Sequence, residues 1–169
     1  SGASLCAIDN GRSVDTTMGM TPLDGLVMVE RSGSIDPGLL IWLLGDGRLS
    51  LDDLDDGLHH HSGLAGLAGG SGDLREILPR IADGDDAARL AFDVYVHRAR
   101  QGIAAMVTSL GGLDVLAFTG GVGEHVAELR GAIVAGLGHL GVAVDADRNR
   151  AVYGADADIT MGDPADFGA

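Results

Sequence analysis

The stretch Asp114 to Arg130, DVLAFTGGVGEHVAELR, decides how the rest of the chain is read. Val115, Leu116, Ala117 and Phe118 make a short apolar run. Thr119, Gly120, Gly121, Val122 and Gly123 follow, and an amphipathic segment opens at once with Glu124. Strand, glycine turn and helix start, in that order, let backbone N–H groups approach a phosphate or a nucleoside with no Cβ atoms in the way. The turn is not G-x-G-x-x-G, and it lacks the Lys-Ser/Thr of a P-loop. On spacing alone two readings stand: a nucleotide site, or a βα turn whose glycines serve only close packing.

Composition bounds the remainder. A chain of 169 residues suffices for one domain with a sizeable core, or for a large piece of a two-domain protein. Hydrophobic residues make up 46% and aromatics only 4%, so the core must come from Leu, Val, Ile and Ala. All 11 basic residues are Arg; against 25 acids they leave a formal net charge of −14. That balance argues against a nucleic-acid or anionic-membrane partner and reads as an acidic, self-repelling, soluble surface. The single cysteine, Cys6, excludes an internal disulfide framework and fits a reducing compartment. Its neighbours, LCAI, read as strand core rather than as the setting of a catalytic thiol. No apolar run approaches the roughly 18 residues of a membrane span, and the first residues lack the pattern of a signal peptide. The expectation is a soluble cytoplasmic protein, or part of one.

Along the chain, residues 3–8 and 12–17 read as strands joined at Asp9-Asn10-Gly11, a hairpin turn. Asp36 and Pro37 suit N-cap and N1 of a helix whose LLIWLL run is expected to be buried, with Trp42 filling core or a dimer contact. A second helix is expected from about 50 to 60. SGLAGLAGGSG, at 62–72, reads as a turn-laden loop that packs closely, and 73–81 as a short amphipathic helix. The longest helix is expected over 85–110, with Leu90, Ala91, Val94, Ile103, Met106 and Val107 as its apolar residues and Gly111-Gly112 as its stop. A strand at 114–118, a helix over 124–140, a strand at 141–144, a short helix and a last strand near 157–161 complete an α/β pattern. No linker long enough to separate two domains is visible. The acid run 52–56 reads as a solvated helix face. His59, His60 and His61 are adjacent on a helix and point apart, which disfavours a shared metal ion.

Three stretches carry a resemblance to the acetate kinase family. SVDTTMGMTPLDGLVMVERSGSIDPGLL (13–40) resembles that family's signature segment. LDVLAFTGGVGEHVAELR (113–130) is similar to its adenosine-binding segment, and SGLAGLAGGSGDLRE (62–76) to the loop ahead of an Asp-x-Arg element. The resemblance runs from Ser1 to about Asp158. It implies an acyl kinase of the superfamily shared by sugar kinases, heat-shock ATPases and actin, making acetyl phosphate reversibly from acetate and ATP with Mg2+. The implied fold is the α/β, ribonuclease H-like C-terminal domain of an actin-like ATPase. Incompleteness is implied too: 1–169 would lack the N-terminal domain and the last strand and helix. The full-length form is expected to be a homodimer that binds no nucleic acid and no membrane.

By position, Ser1 and Gly2 resemble the end of a turn whose backbone contacts the ATP phosphates. Arg31 matches the arginine that stabilises charge on the transferring phosphoryl group and the carboxylate. A guanidinium, planar and multidentate, suits both. Asp73, Leu74 and Arg75 match the element lining the adenosine pocket. Gly121, Val122 and Gly123 match the turn against ribose and adenine. His125 stands where many members carry Asn, and a histidine still donates or accepts a hydrogen bond. Asp15 and Thr16 are placed near the phosphates without a role, and no metal ligand is assigned. The family's remaining groups (an Asn, a substrate Arg, an acid and a His from the N-terminal domain, and a C-terminal Asp-Glu-Glu segment) match nothing here. The chain alone is therefore expected to be inactive. A propionate or butyrate kinase, or a non-catalytic nucleotide-binding remnant, remain as alternatives.

Overall fold

A computed structural model describes residues 2–162, which include every expected element but leave Ser1 outside. The chain divides into two compact units between Leu110 and Gly111, with no linker between them.

The first unit opens on an antiparallel hairpin, β1 (Cys6–Asp9) and β2 (Arg12–Thr16). Asn10 and Gly11 close it with φ of 48° and 76°, the left-handed pair that a tight two-residue hairpin requires. Cys6 lies on the exposed face with its Sγ 3.2 Å from Ser13 Oγ, and Ala7 is the buried residue. The LCAI run thus faces the core one residue out of step with the expected pattern, because side chains alternate along a strand. A bulge between Ala7 and Ile8 adjusts the register.

Helix α1 (Pro37–Gly45) starts as expected, with the Asp36 carboxylate accepting from Gly38 N at 2.8 Å. Its LLIWLL run is not buried: Ile41 is 73% exposed, Trp42 49%, and no residue of the helix is in the core. An apolar run shows what favours burial; it does not supply the surface that buries it. Arg48 stacks its guanidinium 4.2 Å from the Trp42 ring centroid. Helix α2 (Leu51–His60) begins with a reciprocal capping box between Ser50 and Asp53.

The 62–72 stretch is not a loop but contains a short helix, α3 (Gly63–Ala68), closed by Gly69 at φ 66°. Its expected close packing is present. Leu64 N and Ala65 N donate to Met28 O and Val29 O, both at 2.9 Å, and Ser62 N donates to Glu30 O at 2.9 Å. A Cβ on Gly63 would lie 2.3 Å from Met28 O, and one on Gly72 would lie 2.2 Å from Val29 O. The backbone approach, rather than helix propensity, explains why glycine is used here.

Helix α4 (Leu74–Ala82) and the 25-residue α5 (Asp86–Leu110) complete the unit. Asp85 caps α5 by accepting from Ala87 N and Ala88 N, and it also receives Arg80 Nε at 2.8 Å. The buried stripe of α5 is Ala88, Ala91, Phe92, Val96, Ala99 and Ile103. Leu90, expected among them, faces solvent, one position off the stripe. Half of the stripe is alanine, which suits a helix on which α3, α4 and the hairpin all pack.

In the second unit, 114–118 forms no strand. Strands exist by their ladders, and no partner pairs with this run among the described residues. The expected helix 124–140 is broken into α6 (Gly120–His125), α7 (Ala127–Val134) and a 3-10 turn at Gly138–Leu140, with the break at Val126 (φ −111°, ψ 88°). Helix α8 is Ala146–Ala151, capped by Asp145. The two expected strands around it shrink to one antiparallel bridge, Val144 with Thr160. Val126, Leu129, Ile133, Val134 and Leu137 fill this core.

Candidate functional site

In the first unit, Arg31 sits on the 26–34 segment that α3 holds by its backbone. Met28 N donates to Arg31 O at 3.1 Å, and Ser32 N donates to Leu58 O at 3.1 Å. A positive φ of 69° at Gly33 turns the chain back, where a Cβ would lie 2.5 Å from Leu26 O. Arg31 is half-buried, and its Nη1 donates to Pro22 O at 2.8 Å. Gly2 lies beside it: a Cβ there would be 4.0 Å from Arg31 Nη1. Ser1, the other residue of that expected turn, lies outside the described residues.

Asp73 follows directly on Gly72, so the clamp that fixes Arg31's segment also fixes the start of α4. Its Oδ1 accepts Arg75 N at 2.8 Å, and Arg75 Nε donates to both carboxylate oxygens at 3.0 Å. The Asp-x-Arg spacing therefore builds an N-cap and a forked ion pair at once. Leu74 is 3% exposed and belongs to the core, so Asp73 and Arg75 present the polar groups of this element. Asp15 accepts Ser109 Oγ at 2.6 Å through Oδ2 and Thr16 N at 2.7 Å through Oδ1.

In the second unit, Gly121, Val122, Gly123 and His125 all lie on α6. Gly120 enters it at φ 73°, and the Glu124 carboxylate accepts Gly120 N at 2.8 Å. A Cβ on Gly120 or on Gly121 would meet nothing within 4 Å, so these glycines leave open surface. Gly123 is different: a Cβ there would be 3.3 Å from the Phe118 backbone. Gly123 thus serves close packing, whereas Gly120 and Gly121 leave their faces open. The His125 Nδ1 is 2.8 Å from Gly121 O, and its ring meets Tyr153 edge-on at 4.5 Å between centroids. A carbonyl only accepts, so in this contact Nδ1 is the donor.

Behind α6 lies Arg130, 2% exposed, which the sequence reading quoted but gave no role. Its Nη1 donates to Gly123 O at 2.9 Å and Glu124 O at 2.8 Å. On the other side Nε donates to Asn149 Oδ1 and Nη2 to Asn149 O, both at 2.7 Å, with Val152 O at 3.3 Å from Nη2. Asn149 Nδ2 donates in turn to Ala127 O at 2.8 Å. No local pattern announces such a hub, since its acceptors lie 19 to 22 positions along the chain as well as nearby.

With this geometry in view, likeness to known proteins decides the family. Residues 1–165 match the model of the acetokinase family. The chain belongs to the acetokinase family. It is 55% identical over 164 residues to the acetate kinase of Nostoc punctiforme, covering 97% of this chain and 40% of that protein. The crystal structure of Porphyromonas gingivalis acetate kinase superposes with a TM-score of 0.89 at 38% identity, covering 95% of this chain and 40% of the other. That of a propionate kinase from Francisella tularensis gives 0.83 at 40% identity, covering 88% and 38%. The chain thus spans about 40% of the length of the acetate kinases that it matches. Its fold is the corresponding portion of the acetokinase α/β architecture, carrying a small sheet.

Charge and acid response follow from the same caps. Hydrogen bonds hold the Asp73 carboxyl below its ordinary range, first from the Arg75 side chain and then from its backbone N–H. Asp85 and Asp145 are lowered chiefly by the Ala88 and Arg148 backbone N–H groups, and Asp15 chiefly by Ser109. A folded pKa below the unfolded value of about 3.9 stabilises the native state above that value, and the gain is lost as pH falls through the folded pKa. The melting temperature of this acetokinase chain should therefore hold steady near neutrality and fall below about pH 4. A calorimetric Tm unchanged between pH 6 and pH 3 would overturn that expectation.

Proposed function

We propose that this chain is the C-terminal, nucleotide-binding portion of an acetate kinase, which transfers a phosphoryl group reversibly between ATP and acetate. The observation that carries the reading is the placement of Arg31 on a segment clamped by Gly33, Gly63 and Gly72, a rigid mount for a guanidinium. Phosphoryl transfer asks mainly for positioning and for stabilisation of charge on the equatorial oxygens. Arg31 would supply planar, charge-assisted hydrogen bonds to the phosphoryl group and the carboxylate. Asp73 and Arg75 would face the adenosine, and the open surface at Gly120 and Gly121 would admit it without a Cβ in the way. His125 would meet it through an imidazole rather than an amide. Ser1 and Gly2 would lie along the phosphates.

Magnesium would enter with the nucleotide, neutralising its phosphates, as hard oxygen ligands suit it. Among the described residues no three His, Cys, Asp or Glu side chains gather to hold a metal ion, and no step is assigned to one. No helix among the described residues is long and apolar enough to cross a membrane. A cytoplasmic homodimer is part of the proposal, the exposed apolar side of α1 being a surface that association would cover.

The remaining catalytic groups would come from the rest of a full-length enzyme. The test is acyl phosphate formation, trapped with hydroxylamine. This chain alone should give no turnover, and turnover should appear when the rest of a family enzyme is supplied. Turnover by the 169-residue chain alone would refute the division of labour. The likeness to a propionate kinase makes propionate the second substrate to assay, and the ratio of the two kcat/KM values sets the acyl preference.

A further inference from the structure

Arg130 is anomalous in two respects. It is almost wholly buried in a chain whose net charge is −14, yet none of its acceptors among the described residues is a carboxylate. Arg48, Arg75, Arg80 and Arg150 all pair with aspartates nearer the surface. Burying a guanidinium carries a large desolvation cost, and an apolar residue of similar volume avoids it. Its acceptors instead are four backbone carbonyls and one side-chain amide, at Gly123, Glu124, Asn149 and Val152. Two of these are the last-turn carbonyls of α6, a six-residue helix too short to hold its own shape. Thr119 gives α6 no side-chain cap, and Val126 breaks it from α7. Beside the buried Val126 and the edge-on contact of His125 with Tyr153, what ties the glycine segment to the body of its unit is this guanidinium.

We infer that Arg130 is the positioning residue of the nucleotide-binding segment. It fixes the Gly121–Gly123 turn against α8 by joining the Gly123 and Glu124 carbonyls to Asn149, and its charge, paired with no acid among the described residues, favours an anionic ligand at that segment. This rests on the proposed reading of Gly121–Gly123 as a nucleotide contact. A purely structural role would be filled by any packing that keeps the unit folded. The positioning role needs both the fork of donors and the positive charge.

The experiment is calorimetric titration of the purified chain with Mg-ADP and, separately, with adenosine, beside amide hydrogen exchange of α7. Arg130→Met should weaken Mg-ADP at least tenfold and adenosine less, because it loses both the tie and the charge. Arg130→Lys should recover part of the Mg-ADP loss and none of the adenosine loss, since an ammonium restores charge but cannot reach both sets of carbonyls. Should Arg130→Met fail to fold, Asn149→Ala serves in its place. It removes the amide link, and should weaken both ligands about threefold with α7 protection intact. Either variant, folded and binding both ligands like the parent, overturns the inference while leaving the nucleotide reading standing. A parent chain that binds neither ligand overturns that reading, and the inference with it.

Discussion

Replacing Arg31 with alanine should lower kcat for acetyl phosphate formation by about 10³-fold, when the chain is assayed with the rest of a family enzyme supplied. The magnitude follows from where the guanidinium is proposed to act. A cation that meets charge developing on the phosphoryl group lowers the transition state more than the bound state, so kcat falls and not only KM. Arg31→Lys should recover little of the loss, since an ammonium keeps the charge but not the planar fork. Stability should hardly change in either variant: among the described residues the side chain's one hydrogen bond is to Pro22 O, and the mount is made by the backbone. A loss confined to the KM for acetate, with kcat intact, would remove Arg31 from the transferring group and leave it a substrate anchor.

Substituting Gly72 by alanine should destabilise the first unit by about 2–4 kcal/mol, read as a shift in denaturant midpoint at constant slope. The added Cβ would lie 2.2 Å from Val29 O and 2.8 Å from Ala65 N. Both are backbone atoms, which cannot swing aside as a side-chain tip would. Relief requires the 26–34 segment to separate from α3, breaking the bonds of Leu64 N and Ala65 N to Met28 O and Val29 O. Because Arg31 rides on that segment, Gly72→Ala should also reduce turnover in whatever fraction stays folded. Gly57 serves as the control: a Cβ there would meet nothing within 4 Å, so Gly57→Ala in α2 should leave stability unchanged or slightly raised. If Gly72→Ala melts with the parent, the clamp is not what holds Arg31.

Helix α5, the cap at Asp36 and the turn at Asn10-Gly11 were legible because each is written in local chemistry: periodicity, an acceptor ahead of a proline, a left-handed pair. What was not legible depended on partners. The run 114–118 has strand composition, but strands need neighbours, and none pairs with it among the described residues. Gly63-Leu-Ala-Gly-Leu-Ala looks too glycine-rich for a helix until Met28 O and Arg31 O are seen against its first residue. The break at Val126 has no proline or glycine to announce it; Arg130, collecting the carbonyls of Gly123 and Glu124 into its fork, lies beside the interruption. For the candidate site, the family likeness located the segments that Arg31, Asp73, Arg75 and the glycines occupy. The clamp that mounts Arg31 and the hub behind α6 come only from three-dimensional contact.

The link between Ser109 Oγ and Asp15 Oδ2 joins positions 94 residues apart, and a Cβ on Gly102 would fall 2.5 Å from Leu5 Cδ1. The hairpin therefore leans on the far end of α5. During synthesis, at about 5–20 residues per second, it waits roughly 5 to 20 seconds for that end to emerge. Until then two strands and the loop bearing Arg31 have no platform, and a lone hairpin is marginal in water. The order of translation makes this unit slow to close and leaves its strand edges open to other chains in the interval.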